Sequence, residues 1–138
     1  VARKRDRARR GRRSPNRWLV DGMNVIGSRP DGWWNDPDEA MRVFARSLDD
    51  HARTTGDDIT VVFDKNPGRL PETTYVDVVI ARRRGPNAAD YEIERLVAGA
   101  ADPKRLRVVT SDRRLIDKVR AAGAHVTSSG RFRQELDR

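Results

Sequence analysis

Short apolar, β-branched segments alternate with amphipathic helical patterns along most of this chain, and this alternation constrains the fold more than any other feature. The segments with strand character lie at residues 18–20, 59–63, 76–81, 106–110 and 124–127. Apolar residues at helical spacing separate several of these segments, and a last helical turn follows the fifth. Alternation of this kind predicts an α/β fold, in which a mainly parallel sheet of about five strands carries helices on both faces.

The predicted helices have recognisable start and stop signals. Asp36 is placed to cap the first long helix, with Glu39 three residues later positioned to reach back to it. Gly56 is predicted to end that helix, since glycine readily adopts the left-handed conformation found there. Asn87 is predicted to cap the second long helix, and a third helix is expected over residues 112–122.

The positive charge of the chain is concentrated at its amino terminus. The formal net charge is +8, with 29 Lys and Arg against 21 Asp and Glu. Residues 1–17 hold nine basic side chains and one acidic one, so residues 18–138 are balanced. The composition predicts a disordered basic arm over residues 1–17 and a folded domain over residues 18–138. The arm is interpreted either as an RNA-binding segment, with Arg10, Arg12 and Arg13 on phosphates, or as a solubilising linker.

Composition and missing motifs exclude several classes of protein. The chain has no cysteine, which excludes disulfides, zinc–thiolate sites and thiol nucleophiles. Its longest apolar runs have four residues, so neither a membrane span nor a signal peptide is predicted, and a cytoplasmic location is expected. Residues 27–32 have the spacing of a phosphate-binding loop, but Trp33 and Trp34 replace the required Lys and Ser/Thr. Because the chain begins with Val1, we expect a processed product or an excerpt of a longer protein.

Four carboxylates lie where a strand pattern stops or a helical pattern begins. They are Asp21, Asp64, Asp90 and Asp112. In an open parallel sheet the ligand-binding edge is the one at the carboxyl ends of the strands. An acidic cluster at that edge, in a chain rich in arginine, predicts a site for a divalent metal and for phosphate chemistry.

The first two acids each have a structural alternative. Asp21 and Asn24 are spaced so that both can face one ligand, with Gly22 allowing a sharp turn. They can equally bond their own backbone in a tight turn. Asp64 either contributes to a metal site or forms a simple salt bridge with Lys65, because a carboxylate at the end of a buried strand needs a partner.

The other two acids also allow two interpretations each. Asp90 lies at the start of a predicted helix, with Glu94 on the same face four residues later. Asp90 either serves the site or supports the helix start together with Asn87. Asp112 either serves the site, with Ser111 beside it, or acts as a simple N-cap.

Basic and aromatic groups near the predicted site have open interpretations as well. Arg82, Arg83 and Arg84 leave a strand on the side where Asp90 is expected. They either bind a nucleic-acid backbone or form a solvated charge run. Trp33 and Trp34, in the loop after the first strand, either stack on bases or pack beneath the loop.

Four phrases occur in an order that is characteristic as a set. They are LVDGMNVI at residues 19–26, VVFD at 61–64, ADYEIE at 89–94 and VVTSDR at 108–113. Together they resemble the YacP-like NYN domains of the PIN-like nuclease superfamily, over roughly residues 18–136. The resemblance implies a Rossmann-like three-layer α/β/α sandwich and a metal-dependent endoribonuclease that uses Mg²⁺ or Mn²⁺. For some members it also implies action on mRNA in connection with the ribosome.

The resemblance assigns roles to particular residues of this chain. The catalytic roles fall on Asp21, Asn24, Asp64, Asp90 and Asp112, of which Asp21, Asp90 and Asp112 are the expected metal ligands. Ser111 is a supporting residue. The residue patterns, rather than the resemblance, make Glu94 a supporting residue and lead us to expect RNA contacts from Arg82, Arg83, Arg84 and Arg113. Two positions depart from the family pattern. Met23 stands where an aromatic is usual, and Arg114 stands where many relatives carry a second acid.

Two other functions compete with the nuclease. One is a non-catalytic RNA-binding or ribosome-associated module that keeps the fold with a degenerate site. The other is a phosphatase-like enzyme with an aspartyl nucleophile. The phosphatase is disfavoured because Met23 stands where such enzymes carry an acid, two residues after Asp21.

Overall fold

The structure, a computed structural model, describes residues 16–138. Its strands are β1 (Arg17–Asp21), β2 (Asp58–Phe63), β3 (Val76–Ile80), β4 (Leu106–Val109) and β5 (His125–Thr127). Its helices are α1 (Gly22–Ile26), α2 (Pro37–Thr55), α3 (Ala88–Ala98), α4 (Arg113–Ala121) and α5 (Ser129–Leu136). The predicted strands are confirmed with their ends shifted by a residue. Arg17, predicted to belong to the arm, is the first residue of β1, whereas Arg10, Arg12 and Arg13 lie outside the described residues.

The five strands form one parallel sheet in the order β3-β2-β1-β4-β5. The predicted α/β fold with a parallel sheet is thereby confirmed. Strand order reverses between β1 and β4, and ligands bind in the crevice at such a reversal. The register places Val20 of β1 beside Val109 of β4, and Asp21 beside Val62 of β2. The carboxyl ends of these three strands therefore meet at one level.

Two apolar cores, one on each face of the sheet, make the three layers. Successive side chains of a strand point to opposite faces, and Val20 and Leu19 accordingly belong to different cores. The core around Val20 includes buried residues of α1, α2 and α5, such as Phe132. The core around Leu19 is closed by α3 and α4, including Ile93. Within residues 16–138 no helix is long and apolar enough to cross a membrane.

The helix caps agree with prediction only in part. The side chain of Asp36 accepts the backbone N–H of Glu39 at 3.1 Å, so the predicted N-cap of α2 is confirmed. The Glu39 carboxylate does not complete a capping box, because it pairs with Arg42 at 2.9 Å. Gly56 ends α2 at φ 78°, as predicted. Asn87 precedes α3 at φ 65°, but its side chain makes no cap hydrogen bond, so that prediction was wrong.

The segment after β1 is a short helix rather than the tight turn that its glycine suggested. Gly22 opens α1 directly and has no left-handed backbone conformation. A Cβ at this position would lie 2.5 Å from Cε1 of Phe63 and 3.0 Å from the carbonyl oxygen of Val62. Glycine is therefore required here for the close approach of α1 to β2, which brings Asp21 and the end of β2 together.

Candidate active site

The site begins with a hydrogen bond between the ends of β1 and β4. Asp21, the last residue of β1, is only 5% exposed, and Thr110, directly after β4, is fully buried. The Thr110 hydroxyl donates to Oδ2 of Asp21 at 2.8 Å and accepts the backbone N–H of Asp112 at 3.1 Å. Thr110 was not predicted as a site residue. Its place directly after β4 was the available signal, but threonine is ordinary at a strand end.

Asp21 is held in an electrostatic environment that favours its neutral form. Burial raises the pKa of its carboxyl to about 7, and the hydrogen bond from Thr110 opposes that rise. The charges of Asp90, Asp112 and Asp64 contribute to the rise in turn. The fold therefore brings the other three predicted carboxylates close enough to act on Asp21, which is the most buried of the four.

Asp90 has a buried carboxylate oxygen that no donor of the described residues satisfies. It lies in the first turn of α3 and is 7% exposed. Its Oδ2 atom is buried and has no hydrogen-bond partner among residues 16–138. Burial and the charge of Asp112 raise the pKa of this carboxyl, while the charge of Arg114 lowers it. A buried oxygen without a donor is unfavourable, and a bound cation would satisfy it.

Asp112 caps a helix and still keeps one oxygen available. Its Oδ1 atom accepts the backbone N–H groups of Arg114 at 2.9 Å and Leu115 at 3.3 Å, which confirms the N-cap interpretation. No hydrogen bond to Oδ2 occurs within the described part of the chain. The capping role fixes this carboxylate beside Asp21 and Asp90, so the two interpretations of Asp112 are compatible.

Asn24 ties three segments together instead of forming a local turn. Its Oδ1 atom accepts the backbone N–H of Ser111 at 2.9 Å and the hydroxyl of Ser129 at 2.6 Å. Ser129 is fully buried, and its own N–H donates to Oγ of Ser111 at 3.0 Å. Asn24 and Ser111 thus fix the loop after β4 against α5. Ser129 was missed, because it lies far from the other site residues in the sequence.

Asp64 and Glu94 lie at the margin of this arrangement. Asp64 is exposed, one residue beyond β2, so the argument that burial demands a partner was wrong for it. No ion pair between Asp64 and Lys65 occurs in residues 16–138. Glu94 is half-buried and pairs with Lys118 at 3.4 Å. Both carboxylates contribute charge to the site without being fixed by hydrogen bonds.

The basic segment after β3 is anchored by an acid that the sequence patterns did not indicate. Arg82, Arg83 and Arg84 are exposed. The backbone N–H of Arg82 donates to Oε1 of the buried Glu92 at 3.3 Å, and Arg95 donates to Oε2 at 2.8 Å. Burial raises the pKa of the Glu92 carboxyl, but the hydrogen bonds from Arg95 and Arg82 outweigh burial, so the pKa lies below its ordinary value. Glu92 therefore fixes the segment that follows β3 against α3.

The two adjacent tryptophans have different environments. Trp33 is partly buried and packs against the core of α1, α2 and α5, as its structural interpretation predicted. Trp34 remains 54% exposed, and the two rings meet edge to face with centroids 6.0 Å apart. Only Trp34 is therefore left with an accessible aromatic face.

The acidic edge is open rather than enclosed. Among residues 16–138, no three acidic or histidine side chains are already grouped closely enough to hold a metal ion. A cavity of about 700 Å³ lies instead at the amino ends of the strands, lined by residues such as Arg17, Asp58 and Leu106. None of the four predicted carboxylates lines that cavity, so the chemistry indicated by the acids belongs to the other edge of the sheet.

The fold agrees with comparisons to known proteins. A family model described as the YacP-like NYN domain matches residues 18–138. The chain therefore belongs to the YacP-like NYN domain family, and this membership indicates an RNase-type nuclease that acts on RNA.

Among solved structures, the chain is similar to Rae1 (YacP) from Bacillus subtilis. One crystal structure of that protein has a TM-score of 0.72 and 27% sequence identity, covering 88% of this chain and 74% of that chain. A tryptophan-to-leucine mutant of the same protein gives a TM-score of 0.70 with the same identity and coverage. A search of curated protein sequences gave no match.

Proposed function

We propose that this chain is a metal-dependent endoribonuclease that hydrolyses RNA phosphodiester bonds with Mg²⁺ or Mn²⁺. The observation that carries the proposal is the convergence of Asp21, Asp64, Asp90 and Asp112 at the strand-order reversal of a parallel sheet. Charged groups of one sign are held together there, although burial and the neighbouring carboxylates raise the pKa of Asp21 and of Asp90. Such an arrangement is unfavourable for stability alone and is typical of a functional site.

The donor set fits a hard divalent cation. Asp21, Asp90 and Asp112 would hold the ion through oxygen, and the Oδ2 atom of Asp90 lacks any other partner in the described residues. Magnesium is commonly bound by one or two carboxylates and retains several waters, so an open acidic edge suits it. When bound, such an ion supplies a water of lowered pKa and offsets charge on the phosphoryl oxygens.

The remaining residues act by positioning. Thr110 fixes the orientation of the Asp21 carboxylate, and Asn24 with Ser111 fixes the loop that carries Asp112. Asp64, exposed at the rim, is suited to orient an attacking water, and Glu94 adds negative charge beside Asp90. Exposed cations after β3 and at the start of α4 would attract the RNA backbone; they are Arg82, Arg83, Arg84 and Arg113.

Action on mRNA in connection with the ribosome is part of the same proposal. Its support is the family resemblance and the basic residues that precede β1 in the sequence, of which Arg10, Arg12 and Arg13 would neutralise phosphates. Co-sedimentation of the chain with purified ribosomes, compared with a form lacking residues 1–15, tests this part. We expect binding that weakens with added salt and with loss of the arm.

A non-catalytic RNA-binding module is the second candidate. It is favoured by the absence of a ready three-carboxylate group among residues 16–138 and by the charge of Arg114 acting on Asp90. Because the positive charge of Arg114 partly neutralises Asp90, it lowers the need for a metal ion beside that carboxylate. The module would bind RNA through the same basic groups without cutting it.

One assay separates these functions. The purified chain would be incubated with structured RNA and with a generic phosphomonoester, with Mg²⁺ or Mn²⁺ and with chelator. Internal RNA cuts that require the metal support the endoribonuclease. Binding without cutting, both with and without ribosomes, supports the module, and phosphate release would indicate a phosphatase instead.

A further inference from the structure

An exposed tyrosine beside the acidic edge contacts two arginines. Tyr91 follows Asp90 in α3 and is 37% exposed. The guanidinium carbon of Arg83 lies 4.8 Å from the centroid of its ring, and that of Arg114 lies 5.8 Å from the same centroid. The two cations come from different parts of the chain, one after β3 and one in the first turn of α4. Tertiary structure therefore gathers them on a single aromatic side chain.

This pair of cations is not neutralised within the described chain. Neither Arg83 nor Arg114 forms an ion pair with a carboxylate of residues 16–138. The strongest interaction of Arg114 is with the Tyr91 hydroxyl, and the charges of Asp90 and Glu94 act on it only at longer range. Two guanidinium groups near one ring repel each other, and the ring offsets that repulsion only in part. An anion with several oxygens would satisfy both groups, because guanidinium donors match phosphate geometry.

We propose that Arg83, Tyr91 and Arg114 form a clamp for a backbone phosphate of single-stranded RNA, next to the bond that is cut. This proposal rests on the proposed nuclease function for the identity of its ligand. Tyr91 acts as the platform that orients the two guanidinium groups. Because the charges of Arg114 and Asp90 act on each other, a phosphate held by the clamp lies near the carboxylates. The clamp would thereby set which bond of the strand reaches them.

The chain offers control arginines outside the residues proposed to bind RNA. Arg105 directly precedes β4, at the amino ends of the strands, and Arg120 lies in the last turn of α4. Both are exposed, and neither contacts an aromatic ring among residues 16–138. Substituting any of the four arginines removes one positive charge from the chain. Only the clamp substitutions also remove a guanidinium that lies near the Tyr91 ring.

Binding measured without cleavage tests the clamp. We would measure the anisotropy of a labelled single-stranded RNA in chelator for the wild type, for the clamp variants Arg83→Ala and Arg114→Ala, and for the control variants Arg105→Ala and Arg120→Ala. We expect the two clamp variants to bind about five- to tenfold more weakly, and the two controls at most about twofold. The slope of log affinity against log salt should fall by about 0.7 for each clamp variant.

The role of the ring is tested separately. Tyr91→Phe keeps the aromatic face but removes the hydroxyl that interacts with Arg114, so it should lose less affinity than Tyr91→Leu. Tyr91→Leu should lose about as much affinity as Arg83→Ala. In the Tyr91→Leu background, Arg83→Ala should add little further loss, because the residues act as one unit. Circular dichroism and urea unfolding of each variant would establish that the loss is not one of folding.

Several results would overturn the clamp. Equal losses for all four arginine variants would mean diffuse attraction by charge, and unchanged binding in Arg83→Ala and Arg114→Ala would mean no contact. If the wild type binds RNA but never cuts it, the nuclease proposal fails while the binding comparison still decides the clamp. A wild type that neither binds nor cuts RNA would contradict both proposals.

Discussion

The hydroxyl of Thr110 donates a hydrogen bond of 2.8 Å to Oδ2 of Asp21, joining the loop after β4 to the end of β1. The two strands are adjacent in the sheet but distant in the sequence. The same hydroxyl accepts the N–H of Asp112, so one side chain orders two of the four acids. Thr110 is consequently the residue on which the geometry of this edge depends most directly.

Removing that hydroxyl should cost both stability and activity. Thr110→Val leaves a buried carboxylate oxygen without its donor, and we expect a loss of about 1–3 kcal/mol in the free energy of unfolding. The pKa of Asp21 should rise further, because the lost hydrogen bond lowers it. Urea unfolding and RNA cleavage rates check both effects. Thr110→Ser keeps the hydroxyl and is the control. Equal stability of Thr110→Val and the wild type would contradict the assignment.

The raised pKa of Asp21 predicts how stability depends on pH. Its pKa in the folded state, about 7, lies above the ordinary 3.8, so the folded protein holds this proton more tightly than the unfolded chain does. The stability that this bound proton contributes to the folded state is fully present below pH 4 and is lost as the pH rises through 7. In chelator, the free energy of unfolding of Asp21→Asn should therefore rise relative to that of the wild type between pH 4 and 8, by at most about 4 kcal/mol. A difference that does not change with pH would contradict the prediction.

The four acids should differ in their importance for cleavage. Asp21→Asn and Asp90→Asn should abolish metal-dependent cleavage and leave RNA binding in chelator unchanged or tighter, since each removes a negative charge. Asp64→Asn should reduce cleavage less, because Asp64 is exposed and not fixed by hydrogen bonds. Asp50→Asn, on the surface of α2, is the control and should retain full activity. Full activity in Asp21→Asn would exclude its assigned role.

Asn24 should act through the loop that it holds. Asn24→Ala removes the acceptor for the Ser111 N–H and the buried Ser129 hydroxyl, and we expect a loss of about 2–4 kcal/mol in the free energy of unfolding. Ser129→Ala should cost less. In the double variant the losses should not add, because the two side chains share one bond. Urea unfolding of the three variants measures this coupling, and strict additivity would argue against it.

The close approach of α1 to β2 gives a test that does not involve the acids. Gly22→Ala places a methyl group 2.5 Å from the Phe63 ring and 3.0 Å from a backbone oxygen, so we expect destabilisation by about 1–3 kcal/mol. Gly130→Ala in α5 meets nothing within 4 Å. It should be neutral or stabilising by up to about 1 kcal/mol. Thermal or urea unfolding compares the two variants, and equal effects would contradict the steric explanation.

Local signals explain why some features were predictable. The strands β1, β2 and β4 are short β-branched runs that stop at a polar residue, and a sheet buried on both faces favours that pattern. Asp21 and Asp90 were predicted as site residues because each stands at the border of a buried pattern. Asn87 was wrongly predicted to cap α3, because residue type alone does not determine the backbone conformation. Its identity suits a cap, but its left-handed backbone leaves the side chain without a cap hydrogen bond.

The sequence by itself determined the succession of strands and helices along the chain, because periodicity is a local property. It also determined that Asp21 and Asp112 lie at the carboxyl ends of strands, because strand ends are local as well. Only the tertiary structure decided which side chains meet there. The bonds of Thr110 to Asp21 and of Ser129 to Asn24 join distant segments, and no local pattern records such pairs. Burial, which also depends on the tertiary structure, decided how the acids differ from one another. The sheet edge encloses Asp21 and leaves Asp64 exposed, and the cost of desolvating a carboxylate makes these two similar acids chemically different.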